Sequence, residues 1–194
     1  MKLVAATNNN HKIDEMRAIL GELGIEVISQ KDIGLNIDVD ETGSTFEENA
    51  IIKARAIMQL CQLPSISDDS GLCVDALDGR PGIYSARYAG AGATSDMLVG
   101  KLLGELKGKQ IRTARFVCAV AFFMPNGKRY TQEGIIEGSI ATQSCGDGGF
   151  GYDSVFIPQG YDITFAQMDE NEKNKLSHRY QALIKLKDIL KINL

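Results

Sequence analysis

The chain has 194 residues, 44% of them hydrophobic, enough for one domain with a sizeable core or for two small lobes. Its net charge of -4 argues against general binding to a nucleic-acid backbone, which needs a broad basic footprint, but leaves room for a few lysines facing a small anion. No apolar run approaches the roughly 20 residues of a membrane span, and the start, "MKLVAATNNN", is too polar for a signal peptide. Four scattered cysteines without a C-x-x-C pair read as buried reduced thiols, which suits the cytoplasm.

In chain order, residues 2–7 ("KLVAAT") read as a short strand. Residues 8–24 read as a turn followed by a helix, with Ile13, Met16, Ile19, Leu20 and Leu23 three and four apart and Gly24 ending it. A second strand over 25–29 completes a βαβ start. Residues 45–61 predict a helix that Thr45 and Glu48 open as a capping box and that Pro64 closes. A strand ending near Ser67, a tight turn through Ser70-Gly71 and a second apolar run follow. Then come a Gly-rich loop over 78–93 and a helix from Ser95 to about Lys107. Residues 114–141 hold two β-rich runs joined by Pro-Asn-Gly, a hairpin signal. Glycine-rich 146–153 leads into another strand, and 177–190 is an amphipathic helix with Ser177 as N-cap. Helices alternating with strands, then a hairpin, predict an α/β fold with a mixed, strongly twisted sheet and flanking helices.

Four stretches carry chemistry. "TNNNHK" (7–12) places free N–H groups and a positive helix end, with Lys12, where an oxygen-rich anion would fit; an N-capped helix with a solvated lysine explains it equally well. Asp68 and Asp69 stand side by side, a repulsion of about 4 kcal/mol at ~4 Å near a protein surface. Opposite orientation or an intervening cation would relieve it. If the acids at 38, 40 and 41 converge on the pair, the oxygen donors suit Mg²⁺ bridging to phosphate; otherwise they are a solvated loop. "GDGGFGYD" (146–153) allows close backbone approach to a ligand, and Phe150 and Tyr152 offer aromatic faces for a base; a plain turn over core aromatics is the alternative. In "EKNKLSHR" (172–179), Lys173 and Lys175 could reach phosphate, and His178 and Arg179 are donors suited to carbonyl oxygens.

Taken together in this order, "TNNNHK", "ETGSTFEENAIIKA", "SDDSGLCVDALDGRPGIYSARY", "GGFGYD" and "SHR" make the chain similar, over essentially its whole length, to the inosine triphosphate pyrophosphatase family. The resemblance implies an elongated two-lobed fold in a single ITPase-like domain, with a central cleft, and usually a homodimer. It implies Mg²⁺-dependent hydrolysis of dITP, ITP and XTP, purine nucleoside triphosphates, to the monophosphate and pyrophosphate. By position, Thr7, Asn8, Asn9, Asn10, His11 and Lys12 would hold the triphosphate with Lys53. Asp69 would be the general base and, with Glu41, a metal ligand; Ser70 would touch substrate. Phe150, Gly151, Tyr152, Asp153 and Lys173 would line the nucleotide site, with His178 and Arg179 reading the base. A magnesium ion delivered with the phosphates would then relieve the aspartate pair. Attack at the α-phosphorus follows from the resemblance, since the residues alone permit attack at the γ-phosphorus as well. An enzyme acting on modified pyrimidine nucleotides and a non-catalytic nucleotide-binding regulator are the rival readings. One departure is Asp147, where the family commonly has threonine; it is expected to face solvent or a basic residue.

Overall fold

The computed structural model describes residues 1–193. In chain order it contains β1 (Lys2–Ala5), α1 (Asn10–Leu20), β2 (Glu26–Ser29), α2 (Phe46–Cys61), β3 (Ser65–Val74), α3 (Ser95–Glu105), β4 (Thr113–Phe123), β5 (Arg129–Ile140), β6 (Phe156–Pro158), α4 (Glu170–Leu176) and α5 (His178–Asn193). The six strands form one sheet in the order β2-β1-β3-β4-β5-β6. β1 runs parallel to β2 and β3, while β5 and β6 are antiparallel, so the sheet is mixed. The Pro-Asn-Gly hairpin joins β4 to β5, with Met124 and Lys128 bonded across it. No helix among the described residues is long and apolar enough to cross a membrane.

The chain divides into two compact units. The first comprises residues 1–69, 118–134 and the stretch from Arg179; the second comprises 70–117 and 135–178. In the first unit strand periodicity sorts side chains between two faces. Leu3, Ala5, Ile66, Cys118, Val120 and Phe122 pack with α1 and α5, whose Ile13, Met16, Leu183 and Leu186 are buried. On the other face Ala119, Ala121 and Phe123 meet Ala50 and Ala54 of α2, and Val4 and Ala6 meet its Ile57. The Ser65 and Ser67 hydroxyls, also on that face, donate to the Ala54 and Ala50 carbonyls of α2. In the second unit Leu72, Val74, Leu98, Leu102 and Ile140 surround an aromatic cluster of Phe116, Phe156 and Phe165, with ring centroids 4.7 and 5.2 Å apart.

Three local expectations need correction. The chain does not turn at Ser70-Gly71: β3 is continuous for ten residues, and the reversal comes after Val74, where the Gly79 N–H bonds the Val74 carbonyl. The polar residues that suggested a break are paired on both faces of the strand, so their polarity does not end it. Thr45 caps α2 by accepting the Glu48 N–H at 3.1 Å, yet the Glu48 carboxylate does not return to Thr45. It accepts the N–H and hydroxyl of Ser44, both at 2.7 Å, shifting the box by one residue. Of the four free thiols only Cys118 is buried; Cys61, Cys73 and Cys145 are half-buried.

Candidate active site

β3 carries both aspartates, and its pleat turns them to opposite faces. Asp68 points to the α1/α5 face. Its Oδ2 lies 3.0 Å from Lys12 Nζ and accepts from Arg179 Nε at 3.0 Å. Arg179 Nη1 also donates to Glu15 at 2.8 Å, giving a chain of alternating charges. Asp68 is buried, and its Oδ1 has no hydrogen-bond partner among the described residues. Burial alone would raise its pKa, but Lys12, Arg179 and Lys53 together hold it well below the usual carboxylate range. Beside it, burial and the Asp68 charge push the Cys118 thiol far up, so this cysteine stays protonated.

Asp69 points to the α2 face. Its Oδ2 accepts from Asn49 Nδ2 at 3.1 Å, and its Oδ1 is 3.8 Å from Lys53 Nζ. Lys53 also pairs with Glu41, so one ammonium links the two carboxylates. Asn49 and Lys53 are four residues apart, one helical turn, which puts both on the same face of α2. Burial raises the pKa of Asp69, and Glu41 adds to it against the opposing pull of Lys53 and Asn49. Lys53 is shifted up despite its burial, because Asp68, Asp69 and Glu41 surround it. The repulsion of the adjacent acids is thus eased by opposite orientation and by the surrounding Lys12, Lys53 and Arg179, with Lys53 acting on both carboxylates. A carboxylate of raised basicity beside a held ammonium can accept a proton from water while the ammonium offsets phosphate charge.

The start of α1 differs from expectation in how its donors are used. Asn9 is the N-cap: its Oδ1 accepts the His11 and Lys12 N–H groups at 3.0 and 3.4 Å, and its own N–H bonds the Thr7 hydroxyl. Two of the N–H groups expected to meet an anion are therefore capped from within. Asn8, Asn10 and His11 are exposed. Of the acids at 38, 40 and 41, only Glu41 reaches Lys53, while Asp38 and Asp40 are exposed.

The second unit assembles another group. Asp153 Oδ2 accepts the Phe150 N–H at 2.8 Å and pairs with Lys173 Nζ at 2.7 Å. The same ammonium lies 5.2 Å from the Phe150 ring centroid. Gly149 makes this possible: at φ +73° a Cβ there would stand 2.2 Å from Asp153 Oδ2. Phe150, Gly151 and Asp153 line a cavity of 250 Å³ together with Ser95 and Asp96. A larger one of 420 Å³, along Glu137, Gly138 and Tyr161, contains none of the expected site residues. Ser70 is half-buried in β3, and Asp147 is exposed.

Two expected base contacts are differently employed. Tyr152 does not offer a face to a base: it is 3% exposed in the core of the second unit and its hydroxyl donates to the Ser85 carbonyl at 2.9 Å. The ring packs in the apolar cluster of the second unit. Arg179 is 5% exposed, so any reading of a base by its guanidinium competes with Asp68 and Glu15. His178 stacks on Phe116 with centroids 4.9 Å apart. Sequence reading missed Asn49 and Glu15. An asparagine one turn before Lys53, on the stripe that buries Ala50 and Ala54, was the available signal for Asn49.

Residues 3–189 match the Ham1 family. The chain belongs to the Ham1 family. It is 49% identical over 185 residues to the dITP/XTP pyrophosphatase of Halalkalibacterium halodurans, covering 94% of this chain and 95% of that one. To the dITP/XTP pyrophosphatase of Bacillus subtilis it is 48% identical, covering 96% of each. Its fold matches the Staphylococcus aureus Ham1 protein with a TM-score of 0.93 and 39% identity over the full length of both, and a HAM1 protein from Coxiella burnetii with 0.93 and 40% over 99% of both.

Proposed function

We propose that the protein is a nucleoside-triphosphate diphosphatase that converts dITP, XTP and ITP to the monophosphate and pyrophosphate. The observation that carries this reading is the Glu41–Lys53–Asp69 linkage: one ammonium joining two carboxylates, one of the carboxylates with raised basicity. The names of the Halalkalibacterium and Bacillus relatives support the substrate class and the release of pyrophosphate. Asp69 takes a proton from water, the water oxygen bonds to the α-phosphorus, and the bridging P–O bond breaks with its electron pair leaving on pyrophosphate. Lys53 and Lys12 offset phosphate charge. Lys173, Asp153 and Phe150 bind the nucleoside end, and His178 and Arg179 remain the proposed donors to a 6-oxo group.

The donor set fits magnesium. No group of three or more His, Cys, Asp or Glu able to hold a metal exists among the described residues, but Mg²⁺ is commonly held by one or two carboxylates plus substrate phosphates. Asp69 and Glu41 would be those carboxylates, and the ion would supply Lewis acidity at the phosphate oxygens.

The test is a product assay with Mg²⁺ and, separately, dITP, XTP, ITP, GTP and ATP in ¹⁸O-labelled water. Pyrophosphate from the first three, little from ATP or GTP, and label in the monophosphate are expected. Orthophosphate as the first product would overturn the mechanism, and retention of activity in excess chelator would overturn the metal. Light scattering of the purified protein tests the homodimer that the resemblance implies.

A further inference from the structure

Asn49 has no assigned part in the chemistry above, yet it is fully buried and its two amide ends are both engaged. Its Oδ1 accepts the Gly43 N–H at 2.8 Å, and its Nδ2 donates to Asp69 Oδ2 at 3.1 Å. The Gly43 bond decides which way the amide faces. A backbone N–H can only donate, so the oxygen end must meet it and the NH₂ end must face the carboxylate. Gly43 is itself required: a Cβ there would stand 2.7 Å from Asn49 Oδ1 and 2.7 Å from the Glu48 Cβ. The segment between Glu41 and α2 therefore approaches the helix closely enough to hold the asparagine from behind. Only a carboxamide of this length satisfies an N–H on one side and a carboxylate on the other.

We propose that Asn49 is a positioning residue for Asp69, with Gly43 as the group that orients it. By occupying Oδ2 it fixes the rotation of the carboxylate and turns Oδ1 toward Lys53, so that Oδ1 is the oxygen that addresses the attacking water. Loss of this bond lets the carboxylate rotate about its last torsion, and a base displaced by about 1 Å costs on the order of 100-fold in rate. The inference rests on the reading of Asp69 as the proton acceptor.

Asn49→Ala, Asn49→Ser, Asn49→Asp and Gly43→Ala test it, with kcat and KM for dITP and the thermal midpoint measured for each and for wild type. The three Asn49 variants are expected to lose about 10- to 100-fold in kcat with KM within about threefold, since the substrate's own contacts are untouched. Asn49→Asp, which keeps the size of asparagine but sets an oxygen against Asp69, is expected to lose at least as much as Asn49→Ala. Gly43→Ala reaches the same bond from outside the helix and keeps the test open if an Asn49 variant does not fold. Near-normal kcat in any variant that unfolds at the wild-type temperature overturns the inference. A loss that falls on KM in proportion also overturns it, because positioning of the base does not act through ground-state binding. If wild type releases no pyrophosphate from dITP, the base assignment itself fails and takes this inference with it; normal wild-type turnover with normal variants defeats the inference alone.

Discussion

Asp68 and Asp69 are consecutive residues whose carboxylates make their contacts on opposite faces of β3. Asp68 is held by Lys12 and Arg179 on the α1/α5 face of β3, and Asp69 is held by Asn49 and Lys53 on the α2 face. Their pKa values move in opposite directions, Asp68 down and Asp69 up: burial raises both, but at Asp68 it is outweighed by Lys12 and Arg179 in contact and by Lys53, whereas at Asp69 Glu41 adds to it. One strand thus supplies a charged anchor and a basic acceptor at adjacent positions.

Asp68→Asn should destabilise the protein by about 3–5 kcal/mol at pH 7, since it leaves the buried Arg179 guanidinium short of a partner. A depressed folded-state pKa means that the wild type's advantage is complete above the ordinary value of 3.8 and is lost as pH falls below it through the folded value. Urea midpoints of both proteins at pH 7, 5 and 3 check this: the gap should be the same at the first two and smaller at the third.

Asp69→Asn should lower kcat for dITP by about 10²–10⁴-fold while nucleotide affinity changes little. Calorimetric titration with a non-hydrolysable dITP analogue, beside the pyrophosphate assay, separates the two effects. Equal losses in affinity and turnover would make Asp69 a binding group and not a base.

Lys173→Met should act the other way, on KM. The ammonium joins Asp153 to the Phe150 ring in the second unit. A KM for dITP raised about 10-fold with kcat within a few-fold is expected, read from initial rates across substrate concentration.

Gly149→Ala should cost at least about 1–3 kcal/mol, from the left-handed backbone and the displaced Asp153 carboxylate together. Denaturant unfolding gives the cost. A fall in the urea midpoint accompanied by a higher KM would tie the turn to the nucleoside end of the site.

Much of the framework was legible because it rests on local periodicity. The α2 stripe, the Thr45 cap, the Pro-Asn-Gly hairpin and the mixed sheet all follow from residue types at fixed spacing. The resemblance to the inosine triphosphate pyrophosphatase family marked Asp69, Lys53 and Glu41, and the structure places both carboxylates beside the Lys53 ammonium. What sequence concealed was long-range pairing. Ser70-Gly71 looked like a turn because nothing local says that charges on both faces of β3 are satisfied from α1, α2 and α5. Tyr152 looked like a base platform because its Ser85 partner is 67 residues away. The burial of Arg179 against Asp68 was hidden because the two are 111 residues apart. At "TNNNHK" the N-capped helix weighed beside anion binding is present through Asn9, a local bond, while Lys12 is paired with Asp68 and not solvated.

The two serine hydroxyls of β3 set a ruler between strand and helix. Ser65 reaches the carbonyl of Ala54 and Ser67 that of Ala50, so two steps along the strand answer four steps back along α2. Two strand residues advance about 6.7 Å, and four helical residues advance about 6 Å. The scales agree to within a bond's tolerance, and Asp69, the next strand residue on that face, meets Asn49, the residue just before Ala50 on α2. Sliding the helix by a residue would break both hydroxyl bonds at once, whereas apolar contact alone would tolerate the slip. The register that sets α2 against β3, and with it Asn49 beside Asp69, is therefore held by the two serines and not by apolar contact alone.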